Sequence, residues 1–288
     1  MIASAALAKR AFGVFGRVFP RTSMISQAVA YNLFLAFFPS LLILVGVATS
    51  PIGRRTSMFD LIIDMTDLLP PGSQQLVSEF LVNRGPDAWK WALVGLVGTL
   101  LAGTQVMRLL MEGIHVIYGD HDRPGYWQRQ LRSVLLLLIT ITPLITAASL
   151  GVFGRPLRRW VAYELGKSQT IETLWGVFFH GSAIILAMLG LTIIYRVARP
   201  RESSLRGVLP GALVATGLWW IADLLFGFYV RRVPYNVVYG GLAAVIGLLI
   251  WMQISAVIVF LGAAWNAESA EMKRRQAHEQ VHEHAGAS

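Results

Sequence analysis

Residues Tyr239–Glu268 read YGGLAAVIGLLIWMQISAVIVFLGAAWNAE, and this stretch decides the fold. From Gly240 to Ala264, roughly 25 residues, it carries no charge. At 1.5 Å per residue such a helix is roughly 37 Å long, enough to cross a hydrocarbon core of about 30 Å with some tilt. A buried helix of a soluble protein is rarely this long without a charged face. The simplest reading is a membrane span, and the rest of the chain repeats the pattern.

Composition agrees. Of 288 residues, 55% are hydrophobic and 14% are charged, against about 25% charged in a soluble domain. Most of the surface therefore faces something other than water. There are no cysteines, which excludes disulfides, thiolate catalysis and Cys-based zinc sites. The net charge of +9 is read as Lys and Arg in cytoplasmic loops attracted to anionic headgroups, with no nucleic-acid partner.

The expected fold class is all-α: a polytopic membrane protein with six transmembrane helices in one bundle and short amphipathic helices at the interface. The spans fall at about 27–49, 91–112, 133–153, 175–197, 207–230 and 240–264, within a transmembrane domain of residues 27–268. Residues 1–26 are no cleavable signal, because Lys9, Arg10, Arg17 and Arg21 interrupt any apolar core. Phe12, Phe15 and Phe19 share one helical face, so this arm reads as an amphipathic helix lying on the inner leaflet or, equally, as a frayed basic tail. The 50–90 loop suggests two short amphipathic helices on the outer face, ended by Pro70-Pro71-Gly72. Residues 269–288 read as a disordered cytoplasmic tail.

Six spans place both termini on one side. If that side is the cytoplasm, 15 of the 25 Lys and Arg residues fall inside, as the positive-inside rule favours. Trp89, Trp91, Trp160, Trp175 and Trp265 lie near span ends, where indole prefers the interface. Gly95, Thr99 and Gly103, and again Gly207, Gly211 and Ala215, recur every four residues as small stripes that let helices approach closely. Such stripes serve packing within a bundle and between copies of the chain alike, so a homo-oligomer is allowed. Pro39 and Pro143 should kink their helices.

Polar groups inside spans are costly in lipid and normally face the protein interior or a cavity. His180 and Asp223 should both lie roughly 8–11 Å from the outer end of consecutive spans, which makes them a candidate intramembrane pair or a helix–helix tie. Toward the inner side lie Asn32, Gln105, Arg108, Glu112, Gln253, Asn266 and Glu268, candidates for lining a polar cavity open to the cytoplasm. Arg108 and Glu112 are four apart and can pair along one face; Arg108 and Glu268 can equally snorkel to the interface.

Catalytic chemistry finds little support. His115, Asp120, His121 and Asp122 form the densest cluster of metal-ligating types, but the spacing fits no ligand pattern and reads as a solvated turn. The tail histidines His278, His282 and His284 read as part of a soluble polar tail. No catalytic, metal or cofactor residue is assigned, and no cofactor is expected.

The order of several short motifs resembles the YihY/BrkB family of bacterial inner-membrane proteins, historically labelled ribonuclease BN-like. They are Tyr195, Arg196 and Pro200; Leu209–Ala212 (LPGA); Phe226–Tyr229 (FGFY); Tyr239-Gly240; Leu261-Gly262; and Asn266-Ala267-Glu268. Ala30-Tyr31 and Phe38-Pro39 match near the first span. Trp251-Met252-Gln253 departs from the pattern, which puts a family role for Gln253 in doubt. The resemblance implies six spans, an inner-membrane location and both termini in the cytoplasm. It also brings the labels ribonuclease-like and virulence factor, and a suggested transport role. The favoured expectation is a transporter or exporter of a small or lipid-like solute, in contact with the bilayer and its anionic headgroups. The rival is a non-catalytic envelope scaffold or lipid-organising protein. A ribonuclease comes third.

Overall fold

A computed structural model describes residues 2–49, 88–119, 125–143, 146, 169–198, 204–232 and 241–286. Among them the structure is helical and contains no strand. The helices are α1 (Ile2–Thr49), α2 (Ala88–Tyr118), α3 (126–143), α4 (Gln169–Ala198), α5 (Leu205–Arg232) and α6 (Gly241–Gly286). The chain is an all-α polytopic membrane protein. Four helical segments are long and apolar enough to cross a membrane: Thr22–Ile43, Trp89–Tyr118, Leu205–Tyr229 and Val245–Gln280, with a shorter apolar segment at Ile184–Ala198. Many large apolar side chains lie on the outside; Leu101, in the middle of α2, is 71% exposed. In water this would be costly, whereas in hydrocarbon it costs nothing.

Two expectations change. The N-terminal arm and the first span are one continuous helix of 48 residues. The tail expected to be disordered continues α6 as a helix to Gly286. Its residues explain this: Ala, Glu, Met, Lys, Arg and Gln are strong helix formers. Glu271 and Arg275 add an ion pair four residues apart, at 2.6 Å. The expected helices within 50–87, the 154–168 loop and most of the third span after Pro143 lie outside the described residues.

The chain divides into two compact units, one of residues 1–26, 108–221 and 255–288, the other of 27–107 and 222–254. In the second unit α1 lies on the glycine face of α2. A methyl group placed on Gly95 would sit 2.6 Å from the carbonyl oxygen of Pro39, and one on Gly98 would sit 2.9 Å from the Pro39 ring. Pro39 thus packs against small residues of α2, and α1 stays helical through it. Phe226 of α5 meets Trp251 of α6 with ring centroids 5.3 Å apart.

In the first unit the core is built from α2, α3, α4, α5 and α6. Phe260, Ile114, Leu136, Ala212, Ala215 and Ala263 are fully or almost fully buried. The Phe260 ring fills the space that a side chain on Gly113 would need. Three buried hydroxyls are satisfied within their own helices: Ser26 donates to the Thr22 carbonyl at 2.8 Å, Ser133 to Arg129 at 2.8 Å and Thr192 to Met188 at 2.7 Å. Those of Thr140 and Ser255 make no hydrogen bond among the described residues.

Candidate functional site

One face of α2 changes character along its length. Val94, Val97 and Leu101 are exposed and apolar. The next residues on that face are Gln105, Arg108 and Glu112, all half-buried. The spacings 3, 4, 4, 3 and 4 keep all six on one side of the helix. The opposite side carries Val106, Leu110, Gly113 and Ile114, which are buried. Counted from Trp89 at 1.5 Å per residue, Gln105 lies about 24 Å and Arg108 about 28 Å along the helix. The face therefore turns polar near the far edge of a hydrocarbon core about 30 Å thick.

Helix α2 ends at a cap that its sequence dictates. Gly119 adopts φ 70° and its N–H donates to the Val116 carbonyl at 3.3 Å, a left-handed closure that glycine takes without strain. His115 donates through Nδ1 to the Met111 carbonyl at 2.6 Å. After the turn, Arg129 of α3 donates to Glu112 at 3.0 Å. Glu112 thus pairs across the α2–α3 connection. The four-residue spacing to Arg108 allows a pair along the helix instead.

A second polar construction joins α4, α5 and α6. Ser204 caps α5, accepting the Gly207 N–H on its hydroxyl at 3.2 Å. Pro210 then stands inside the helix, where it has no N–H to give the Arg206 carbonyl. Beside that break, the amide of Asn266 enters from α6. Its Oδ1 accepts the Gly211 N–H at 2.7 Å, and its Nδ2 donates to the Val208 carbonyl at 3.0 Å. Asn266 is 2% exposed, so both bonds are made away from solvent. The side-chain amide thus fastens α6 to the early turns of α5 beside the proline.

The approach needs glycine. A methyl on Gly211 would overlap the Gly262 carbonyl and the Asn266 amide. One on Gly262 would overlap the Tyr195 hydroxyl and lie 2.6 Å from the Gly211 carbonyl. Tyr195 of α4 is buried and donates to the Val259 carbonyl at 2.8 Å.

The other expected residues are placed as follows. Asn32 donates to Ala28 of its own helix at 2.8 Å. Gln253 and Glu268 are half-buried on α6. Asn32, Gln105 and Gln253 belong to one unit, and Arg108, Glu112, Asn266 and Glu268 to the other. Asp223 is exposed on α5, and the side chain of His180 lies outside the described residues. Pro143 is buried at the end of the continuous part of α3. Asp120, His121 and Asp122 lie outside the described residues, and among the described ones no group of three His, Asp or Glu side chains could hold a metal.

Sequence reading did not foresee the roles of Arg129, Pro210 or Tyr195. Tyr195 and Pro210 stood in motifs that carried the resemblance, but spacing along the chain does not say what touches what.

The chain matches the virulence factor BrkB family over residues 20–286. It is 25% identical over 245 residues to YfkH of Bacillus subtilis (strain 168), a protein named ribonuclease-like, covering 84% of this chain and 88% of YfkH. It is 27% identical over 244 residues to a UPF0761 membrane protein of Alkalilimnicola ehrlichii, covering 83% of this chain and 53% of that protein. A UPF0761 membrane protein of Chromobacterium violaceum is 25% identical over 249 residues, covering 86% and 58%. The chain spans little more than half the length of these two relatives. No solved structure matches it. With a match running from Pro20 to Gly286 on an apolar helical chain, this protein belongs to the virulence factor BrkB family and is an integral membrane protein.

Proposed function

We propose that the protein is a bacterial inner-membrane transporter or exporter, with both termini in the cytoplasm, and that its solute is lipid-like. The observation that carries this reading is the face of α2, where exposed Val94, Val97 and Leu101 lead into half-buried Gln105, Arg108 and Glu112. A molecule with an apolar tail and a charged or polar headgroup matches that sequence of surfaces. Arg108 offers a donor fork suited to an anionic headgroup. A charged side chain at such a depth is expensive unless protein, water or a ligand solvates it. The charge distribution supports cytoplasmic termini, with 15 of 25 Lys and Arg on that side.

The proposal is non-enzymatic, with no cofactor and no nucleic-acid partner. It allows a homo-oligomer. The second reading is a lipid-organising scaffold, favoured by the same face of α2 if headgroups bind there without moving.

Proteoliposomes separate the two. With a fluorescent headgroup-labelled phosphatidylglycerol in both leaflets, a transporter exposes inner-leaflet probe to an external quencher faster than empty vesicles do, and Arg108→Ala slows the exposure. A folded protein that leaves the rate at that of empty vesicles is a scaffold for this class of molecule.

A further inference from the structure

Helix α6 continues from the apolar span to Gly286, and the described side chains from Ala270 onward are exposed. This stretch holds His278-Glu279-Gln280-Val281-His282. In a disordered tail, two imidazoles separated by three residues have no fixed relation. On a helix, positions four apart lie on one face with Cβ atoms about 5–6 Å apart. Both His278 and His282 are exposed, and neutral imidazole is a preferred ligand of first-row transition ions.

We infer that His278 and His282 form a two-imidazole site for a divalent transition-metal ion, such as Zn2+, on the projecting end of α6. Each residue supplies one ring nitrogen, and water completes the coordination sphere. Arg274, one turn earlier on the same face, is a like charge and keeps the affinity modest. The five residues also fit the H-E-x-x-H pattern of zinc proteases, in which a glutamate serves as base. A catalytic zinc takes three protein ligands, and no such group of three is present among the described residues. The inference is one of binding, with two protein ligands. A bound ion clamps two turns of an otherwise solvated helix, so occupancy reports on, and stabilises, the cytoplasmic end of α6.

The test is calorimetric titration of Zn2+ into the full-length protein in detergent, purified without an oligohistidine tag. One ion per chain should bind, and His278→Ala or His282→Ala should each weaken it about tenfold or more. The deciding variant exchanges neighbours, His282→Glu with Glu283→His. It preserves composition but leaves no two tail histidines three or four residues apart, and it should weaken binding as much. Zn2+ should also slow amide hydrogen exchange over 274–284 in the native chain and not in the exchanged one. Affinity within about twofold of the native chain in the exchange variant would overturn the inference, as would absence of binding to the native chain.

Discussion

Asn266 satisfies two backbone groups of another helix. Its replacement by alanine removes both of these bonds in a buried place. Removing one partner of a buried hydrogen bond costs about 1–3 kcal/mol, although hydrogen bonds between membrane helices average nearer 0.6 kcal/mol. Asn266→Ala should therefore destabilise by about 1–3 kcal/mol. Tyr195→Phe should cost less, about 0.6 kcal/mol, because the Val259 carbonyl that loses the hydroxyl at 2.8 Å stays within its own helix ladder. Unfolding from mixed micelles with increasing denaturing detergent would rank the two, and equal costs would contradict the role given to the amide.

Glycine supplies a sharper comparison on a single helix. Gly211→Ala must displace the Gly262 carbonyl and should cost about 1–3 kcal/mol. At Gly217 no described atom lies within 4 Å of an added methyl. Gly217→Ala should then be neutral or stabilising by up to about 1 kcal/mol, from helix propensity alone. The same micelle assay checks both signs.

At the scale of elements, the four helices long and apolar enough to cross a membrane were legible because their signal is additive: tens of apolar residues in a row admit few structures. The contacts between helices were not. Gly211 was visible as part of a small-residue stripe, and its partner Gly262 as part of another motif, but nothing in either identified the other. Glu112 shows why. An arginine four residues before it was the natural local partner, and Arg129, beyond a capped turn, holds it at 3.0 Å. That pair is partly exposed, so Glu112→Ala should lower stability by no more than about 1 kcal/mol. A double-mutant cycle with Arg129→Ala in the same unfolding assay would measure the coupling.

The tail of α6 was misjudged for another reason. High polarity suggests disorder, while the intrinsic preference of the same residues is helical. Without packing, such a helix frays. Amides of 270–286 should exchange within the fast phase of a hydrogen-exchange experiment, and those of 256–264, whose side chains are mostly buried, far more slowly.

At the scale of the whole molecule, α1, α2, α5 and α6 each contribute residues to both compact units, so helices and compact units do not coincide. Exposed Trp127, packed edge-on to Tyr126 at 5.7 Å, stands at the start of α3 beside Arg129, an aromatic and basic combination suited to the headgroup region. The polar stretch of α2 that ends at Glu112 is joined to this point through the Arg129 pair. On the proposed reading, water and headgroups reach the stretch of α2 from Arg108 to Glu112.

The absence of cysteine makes that reading directly measurable. Single cysteines are introduced at Val94, Val97, Leu101, Gln105, Arg108 and Glu112, and at buried Val106 and Leu110 as controls. Each variant is treated in membranes with a small, charged thiol reagent that cannot enter hydrocarbon. The account predicts labelling at 105, 108 and 112 and protection at 94, 97, 101, 106 and 110. Protection at 105 and 108 in a folded protein, or labelling at 97 and 101 as fast as at 108, would contradict it.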